Sequence, residues 1–274
     1  MVTTSTLMEN LQQEGVSPDL LLAVNEYRTT HPLTEALAPR VPQSAFTYYG
    51  KDVWEQALAA LLCGENLLLA GGKATGKNVL AENLAAAFGR PAWDVSMYVN
   101  VDAAALIGAD TLQDGQVAFR EGPVCQCARL GGFGVLDEVN MAKNEALAVL
   151  HATLDFRRVI DVPGYQRILL DPAARFIGTM NYGYAGTREL NEALVSRFVV
   201  LDMPVISQEN LQKLLRQGFP ELKTTWVEQF SALFQDLRQK CDSGEISTKA
   251  LDLRGLLSAL HLMEKGISSG QALE

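Results

Sequence analysis

Asn66-Leu67-Leu68-Leu69-Ala70-Gly71-Gly72-Lys73-Ala74-Thr75-Gly76-Lys77-Asn78 decides how this chain is read. The run from 66 to 70 is short and apolar, as a strand buried on both faces of a parallel sheet requires. Gly71 to Lys77 then spells G-x-x-x-x-G-K, and a helical pattern follows over 78–88. Glycines let the backbone turn tightly so that successive N–H groups face anionic oxygens. The helix N-terminus adds positive potential, and the Lys77 ammonium reaches the β and γ phosphates of a nucleotide. An ordinary glycine-rich turn between strand and helix needs no lysine at that position. The stretch therefore predicts a phosphate-binding loop, with Gly71, Gly72, Lys73, Ala74, Thr75, Gly76, Lys77, Asn78 and Val79 against the nucleotide.

Outward from this loop, short apolar runs at 93–97, 133–136, 176–180 and 198–201 read as further strands separated by helical patterns, the signature of an α/β domain. A helix is expected over 52–63. Two interruptions read as β-hairpins: 111–119 around Asp114-Gly115, and 158–162 returning through Pro163-Gly164 to 166–170. Residues 1–45 form a helical N-terminal extension. Within it Ser17 is expected to cap a helix with Pro18 at the first position, and Leu20, Leu21, Val24 and Tyr27 recur at helical spacing. His31-Pro32 and 39–43 read as extended linker. After Met203-Pro204 only helices are expected, over 207–216, 221–240 and 248–265. The domains are thus 1–45, an α/β nucleotide-binding domain at 46–204, and a small all-helical domain at 205–274. The final Gln271-Ala272-Leu273-Glu274 stops within a helical pattern without a cap, as in a trimmed chain.

Composition narrows the function. Of the 274 residues, 48% are apolar and 20% charged, which excludes a disordered chain. A net charge of -9 removes the broad positive field that non-specific nucleic-acid binding needs. No apolar stretch approaches the length of a membrane span, and the first residues have neither the basic start nor the apolar run of a signal peptide, so the expected location is the cytoplasm. The cysteines at 63, 125, 127 and 241 are too scattered for a disulfide framework. Cys125-x-Cys127 lacks a second pair at zinc-binding spacing, so two reduced thiols on a helix are expected rather than a structural metal.

Two more segments carry chemistry. Gly132-Phe133-Gly134-Val135-Leu136-Asp137-Glu138 is a strand ending in two acids: Asp137 can hold Mg²⁺ through its water shell, and Glu138 can polarise the water that attacks a γ-phosphate. The strand over 175–180 ends at Asn181, placed to orient that water beside Glu138. Farther on, Arg188 and Arg197 flank a helical pattern, and Arg197 stands where that helix meets the last strand. Asn78 occupies the position at which such loops carry Ser or Thr to ligate Mg²⁺. Its amide oxygen is a weaker ligand, so Asn78 and Asp137 are the metal candidates, and nucleotide binding is read more directly than hydrolysis.

On these motifs the chain resembles an AAA+ ATPase, more closely the MoxR group with its CbbQ and NorQ relatives, over roughly 48–270. Gly71 to Asn78 resembles Walker A, Val135-Leu136-Asp137-Glu138-Val139-Asn140 Walker B with its following turn, and Thr179-Met180-Asn181 sensor 1. Ser196-Arg197-Phe198 resembles the arginine-finger segment and Leu253-Arg254 sensor 2. The hairpins fall where that group carries its helix-2 and pre-sensor-1 inserts. Lys73-Ala74 departs from the group's more usual Pro-Gly. The resemblance implies a P-loop NTPase sheet sandwiched by helices, two hairpin insertions and a helical lid. It implies a ring, usually a hexamer, with ATP and Mg²⁺ between subunits and Arg197 reaching the neighbour's γ-phosphate. It implies, finally, Arg254 as a further catalytic cation, a protein client, and a von Willebrand factor A domain partner. Phe119 and Tyr165, expected near the hairpin tips, are the candidates for client contact. Two other readings stand beside this one: a poorly hydrolysing assembly scaffold marked by Asn78, and a DNA-handling motor.

Overall fold

Leu67–Gly71 forms the strand that its apolar run requires, here β1, and every residue of it is buried. Strand alternation sends Leu67 and Leu69 into one apolar cluster and Leu68 into another on the opposite face. The run has to be apolar throughout because both faces are covered. The computed structural model describes residues 4–162, 164–182, 187–247 and 252–273. The chain divides into two units, 1–71 with 77–203 and 72–76 with 204–274.

The first unit begins with helices α1 (Thr4–Gln13), α2 (Pro18–Thr30) and α3 (Lys51–Leu62), then β1 and α4 (Lys77–Ala87). Strand β2 (Ala92–Ser96) and α5 (Ala103–Ile107) precede the hairpin of β3 (Gly108–Gln113) and β4 (Gln116–Glu121). Then come α6 (Pro123–Leu130), β5 (Phe133–Asp137) and the short α7 (Asn144–Leu147) and α8 (His151–Leu154). A second hairpin, β6 (Val159–Ile160) with β7 (Ile168–Leu169), leads to β8 (Arg175–Asn181), α9 (Glu192–Val195) and β9 (Val199–Asp202). The main sheet has five strands in the order β2-β5-β8-β1-β9, all paired in parallel. Each lies within a residue or so of its expected position. Close strand packing dictates the small residue Gly134 in β5, where a Cβ would come within 2.5 Å of the Phe176 ring.

The N-terminal helices belong to the core beneath this sheet. Leu7, Leu11, Val24 and Tyr27 are buried in the cluster that holds Leu67, Leu84 and Phe88. The Tyr27 hydroxyl donates to the Ala173 carbonyl at 2.8 Å. Two local expectations are corrected here. Ser17 precedes α2 with Pro18 at its start, but its hydroxyl makes no capping bond; instead its backbone N–H donates to Glu55 Oε1 on α3 at 2.9 Å, so the entry of α2 is fixed by a tertiary contact. The expected linker at 39–43 is partly helical: Glu35–Arg40 forms a 3-10 helix. Its bonds from Leu37 N to Thr34 O and from Val41 N to Ala38 O bypass the N–H that Pro39 lacks.

The second unit contains α10 (Gln208–Gly218), α11 (Thr224–Asp242), α12 (Leu253–Glu264) and α13 (Ser269–Leu273). Ser207 caps α10 by accepting from Asn210 N at 3.1 Å. Leu211 and Leu215 are buried on one face of α10, and Val227, Phe230 and Phe234 on one face of α11. Gln212 Nε2 donates to Ser231 Oγ between these two helices at 3.2 Å. The helix expected from Thr248 begins, among the described residues, at Leu253, where Asp252 accepts from Arg254 N at 3.0 Å. Thr248, the turn residue Pro163 and the terminal Glu274 lie outside the described residues. No described helix is long and apolar enough to cross a membrane.

Candidate active site

A parallel sheet gathers the carboxyl ends of its strands along one edge, and ligands of such folds bind there. Gly71 closes β1 at that edge, in register with Asn181 of β8. Asp137 closes β5, in register with Ser96 of β2. The expected loop follows Gly71 directly. Within it Ala74 and Gly76 adopt left-handed φ values of 58° and 80°, on either side of Thr75. Left-handed residues set among others turn successive N–H groups inward into an anion-binding concavity. Glycine takes this backbone freely, whereas an L-residue such as Ala74 pays about 1–2 kcal/mol to do so. Thr75 Oγ1 donates to the Gly72 carbonyl at 3.1 Å. Lys77 is 7% exposed at the start of α4 and donates from Nζ to the Gly71 carbonyl at 3.1 Å.

The acid pair of β5 is wired to β8. Thr179 Oγ1 donates to Asp137 Oδ1 at 2.7 Å and accepts from the Glu138 N–H at 3.0 Å. Asn181 Nδ2 donates to Glu138 Oε1 at 3.0 Å. Glu138 reaches this position through a left-handed backbone, φ 56°. Asn140 Nδ2 donates to the Asn181 carbonyl at 2.9 Å, and the Arg188 N–H donates to the Asn140 carbonyl at 2.9 Å. Asp94, on the strand beside β5, has its carboxyl pushed above the usual range by burial and then by the charge of Asp137. The sequence placed Thr179 in the sensor 1 segment and Asn140 in the turn after Walker B, without a separate role for either side chain. Thr179 was detectable, because residues two apart in a strand share a face, and it stands two before Asn181.

The residues present fit a nucleotide with its metal. Asn78 is half-buried in the first turn of α4, with no hydrogen-bond partner for its side chain among the described residues. Asp137 Oδ2 and Glu138 Oε2 likewise take no hydrogen bond from them. One amide and one carboxylate oxygen therefore stand free for a hydrated cation, and one carboxylate oxygen for a proton.

Arg197 and Arg254 stand on other elements. Arg197, in the turn between α9 and β9, donates from Nε to the His151 carbonyl at 3.1 Å, from Nη1 to the Ala193 carbonyl, and from Nη2 to Asp155 Oδ2 at 3.3 Å. Arg254 is exposed in the first turn of α12, in the second unit. The structure thus brings together Lys77, Gly71, Asn181, Glu138 and Asp137 and ties Arg197 to a different set of residues in its own chain.

Both expected hairpins are present. In the first, Asp114 and Gly115 both carry positive φ, the tight turn that Asp-Gly favours. Tyr165 lies in the turn of the second hairpin as expected, whereas the position of Phe119 is corrected. Phe119 pairs with Asp110, well back from the turn, and its ring lies 5.1 Å from that of Tyr165. The Tyr165 hydroxyl donates to Asp110 Oδ1 at 2.7 Å, which joins the two hairpins. The apolar pair nearest the first turn is instead Leu112 with Val117, one step back from the flanking Gln113 and Gln116 and 74% and 67% exposed. Cys125 and Cys127 lie buried on α6, where burial raises both thiols, that of Cys125 to about 12.

A glycine- and lysine-bearing loop after β1, with an asparagine at the end of the adjacent β8 and an acidic pair at the end of β5 beyond it, defines a P-loop nucleotide-binding protein. Residues 66–198 match the AAA domain of the dynein-related subfamily. Bacillus subtilis YojN, whose own role is uncharacterised, is 33% identical over 94% of this chain and 83% of its own length. Uncharacterised proteins of Staphylococcus haemolyticus and Staphylococcus aureus strain RF122 are each 34% identical, over 78% and 77% of this chain and 83% and 82% of theirs. The chain belongs to the same family as these relatives and carries an AAA domain over residues 66–198.

Proposed function

We propose that this protein hydrolyses ATP between the subunits of a ring, in the manner of the MoxR group, and uses the cycle to remodel or activate a protein client in the cytoplasm. The observation that carries the reading is the bond from Asn181 to Glu138, which aims a carboxylate with one free oxygen at the sheet edge where the phosphate loop begins. The loop N–H groups of 72–76 and Lys77 hold the β and γ phosphates. Glu138 accepts the proton of the attacking water, and Asn181 fixes both the carboxylate and the water, so that positioning and charge stabilisation lower the barrier. Asn78 and the water shell of Asp137 would hold Mg²⁺, which would supply neutralisation of phosphate charge. Arg197 meets the γ-phosphate of a neighbouring copy.

The net charge of -9 favours a protein over a nucleic acid as client. Leu112 and Val117 are the side chains that would touch it at the hairpin turn, with a von Willebrand factor A domain protein as the linking partner. The test is steady-state hydrolysis of ATP with Mg²⁺ across protein concentrations, for the wild type, Glu138→Gln and Arg197→Ala. Activity that rises more steeply than protein concentration and disappears in both variants supports the reading. Tight ATP binding without hydrolysis at any concentration replaces it with a scaffold, which Asn78 in place of a hydroxyl residue favours.

A further inference from the structure

Arg197 carries five N–H donors. Three are engaged within its own chain: Nε by the His151 carbonyl, one on Nη1 by the Ala193 carbonyl, and one on Nη2 by Asp155 Oδ2. One N–H on each Nη remains without a partner among the described residues, and the side chain is 21% accessible. Asp155 is itself fixed. Arg157 donates its backbone N–H and Nε to Oδ1 at 3.0 Å each and Nη2 to Oδ2 at 2.6 Å, forming a side-on pair. The carboxylate is 12% accessible, whereas Arg157 is half exposed. The anchors come from distinct segments: His151 and Ala193 lie on α8 and α9, and Asp155 follows α8 ahead of the second hairpin.

We propose that Asp155, pinned by Arg157, is the positioning residue of Arg197. With the carbonyls of His151 and Ala193 it fixes the guanidinium so that one N–H on each Nη is presented outward to a phosphate oxygen of ATP held by a second copy of this chain. The inference rests on the ring reading above and deepens it. A long, flexible arginine would otherwise lose rotamer freedom on each encounter, and prior orientation removes that loss from the reactive step. Planar guanidinium geometry makes such orientation effective, because two parallel N–H bonds can meet one phosphate. Arg157 also keeps the Asp155 charge neutralised while Arg197 engages elsewhere. Because Asp155 and Arg157 immediately precede β6, a shift of the second hairpin would be felt at Arg197.

Asp155→Asn preserves shape and removes charge. In steady-state hydrolysis it is expected to lower kcat at least about 10-fold while KM for ATP stays within about twofold, since the nucleotide-holding residues are untouched. Asp155→Glu should recover part of the loss. In an Arg197→Ala background Asp155→Asn should cost nothing further, because both changes act through one guanidinium. An unchanged kcat in Asp155→Asn, or losses that simply add, overturns the proposal. A readout independent of activity is the Arg197 Nε–H resonance in ¹⁵N-labelled protein, assigned by its disappearance in Arg197→Lys. It should be protected from solvent exchange in the wild type and lose protection in Asp155→Asn. A wild type that hydrolyses nothing at any concentration removes the ring reading, and the resonance then decides positioning by itself. Protection lost on substitution supports it, and no protection in the wild type overturns it.

Discussion

The strand-end cluster and the Arg197 junction are both polar constellations of one unit, yet they are built by opposite means. Asp137, Thr179 and Asn181 stand on adjacent parallel strands and Glu138 follows Asp137 directly, so strand register and one left-handed residue make them neighbours. Around Arg197 one partner is the Ala193 carbonyl four residues before it, while the His151 carbonyl and the Asp155 carboxylate come from about forty residues away, with no shared strand or helix face to bring them there. A site fixed by ladder hydrogen bonds inherits the stiffness of the sheet, whereas one fixed by converging loops depends on each anchor. The first should therefore tolerate change around it and fail only when a reacting group is altered. The second should fail when a supporting group is altered.

The sharpest contrast comes from the cations. Arg197→Ala should lower turnover by about 10³-fold or more, the scale of a lost trans arginine, and should abolish the dependence of specific activity on protein concentration; a concentration series of both proteins measures this. Glu138→Gln should cost about 10²–10⁴-fold in kcat, as for a lost general base, with ATP binding retained in equilibrium titration. If it hydrolyses ATP at the wild-type rate, the strand-end cluster is not the reacting site.

A supporting residue of the sheet should matter less. Thr179→Val removes the hydroxyl between Asp137 and the Glu138 N–H and leaves that N–H unsatisfied, a destabilisation of about 1–3 kcal/mol. Denaturant midpoints would register it, and a larger loss of activity than of stability would show that the bridge also aims Glu138.

Acid distinguishes the two regions in another way. Its side-chain hydrogen bonds to Arg157 hold Asp155 at about 2, against an ordinary value of 3.8. A carboxylate depressed on folding contributes stability above its unfolded value and loses that contribution as pH falls through its folded value. Between about pH 4 and pH 2 the Arg157–Asp155–Arg197 arrangement should therefore loosen, and Asp155→Asn should flatten the pH dependence of thermal unfolding in that window. The smallest effect on stability belongs to the hairpin turn. Leu112→Ser with Val117→Ser should change folding stability by only about 0.5 kcal/mol, because both side chains face solvent, while the ATPase response to a client would fall.

Much of this molecule is legible in one dimension. The run 66–70 could only be a strand covered on both faces, and the G-x-x-x-x-G-K spacing could hardly serve another local purpose. The acids at 137 and 138 and the asparagine at 181 end apolar runs in a domain whose parallel order brings strand ends together. Asp114-Gly115 announced a tight turn. These are local patterns, in which the period of a side chain and the conformational preference of a residue suffice.

Tertiary structure alone decided the rest. Nothing in the sequence marks Ala74 for a left-handed backbone, Phe119 for a partner in Tyr165, or Ser17 for a bond to Glu55 in place of a cap. Nor does it join Asp155 to Arg197, or show that α1 and α2 share the core of β1. All but the first depend on segments far apart in sequence meeting in space. Chain periodicity carries no record of such meetings, since it reports which face of an element is apolar and not which other element will cover it.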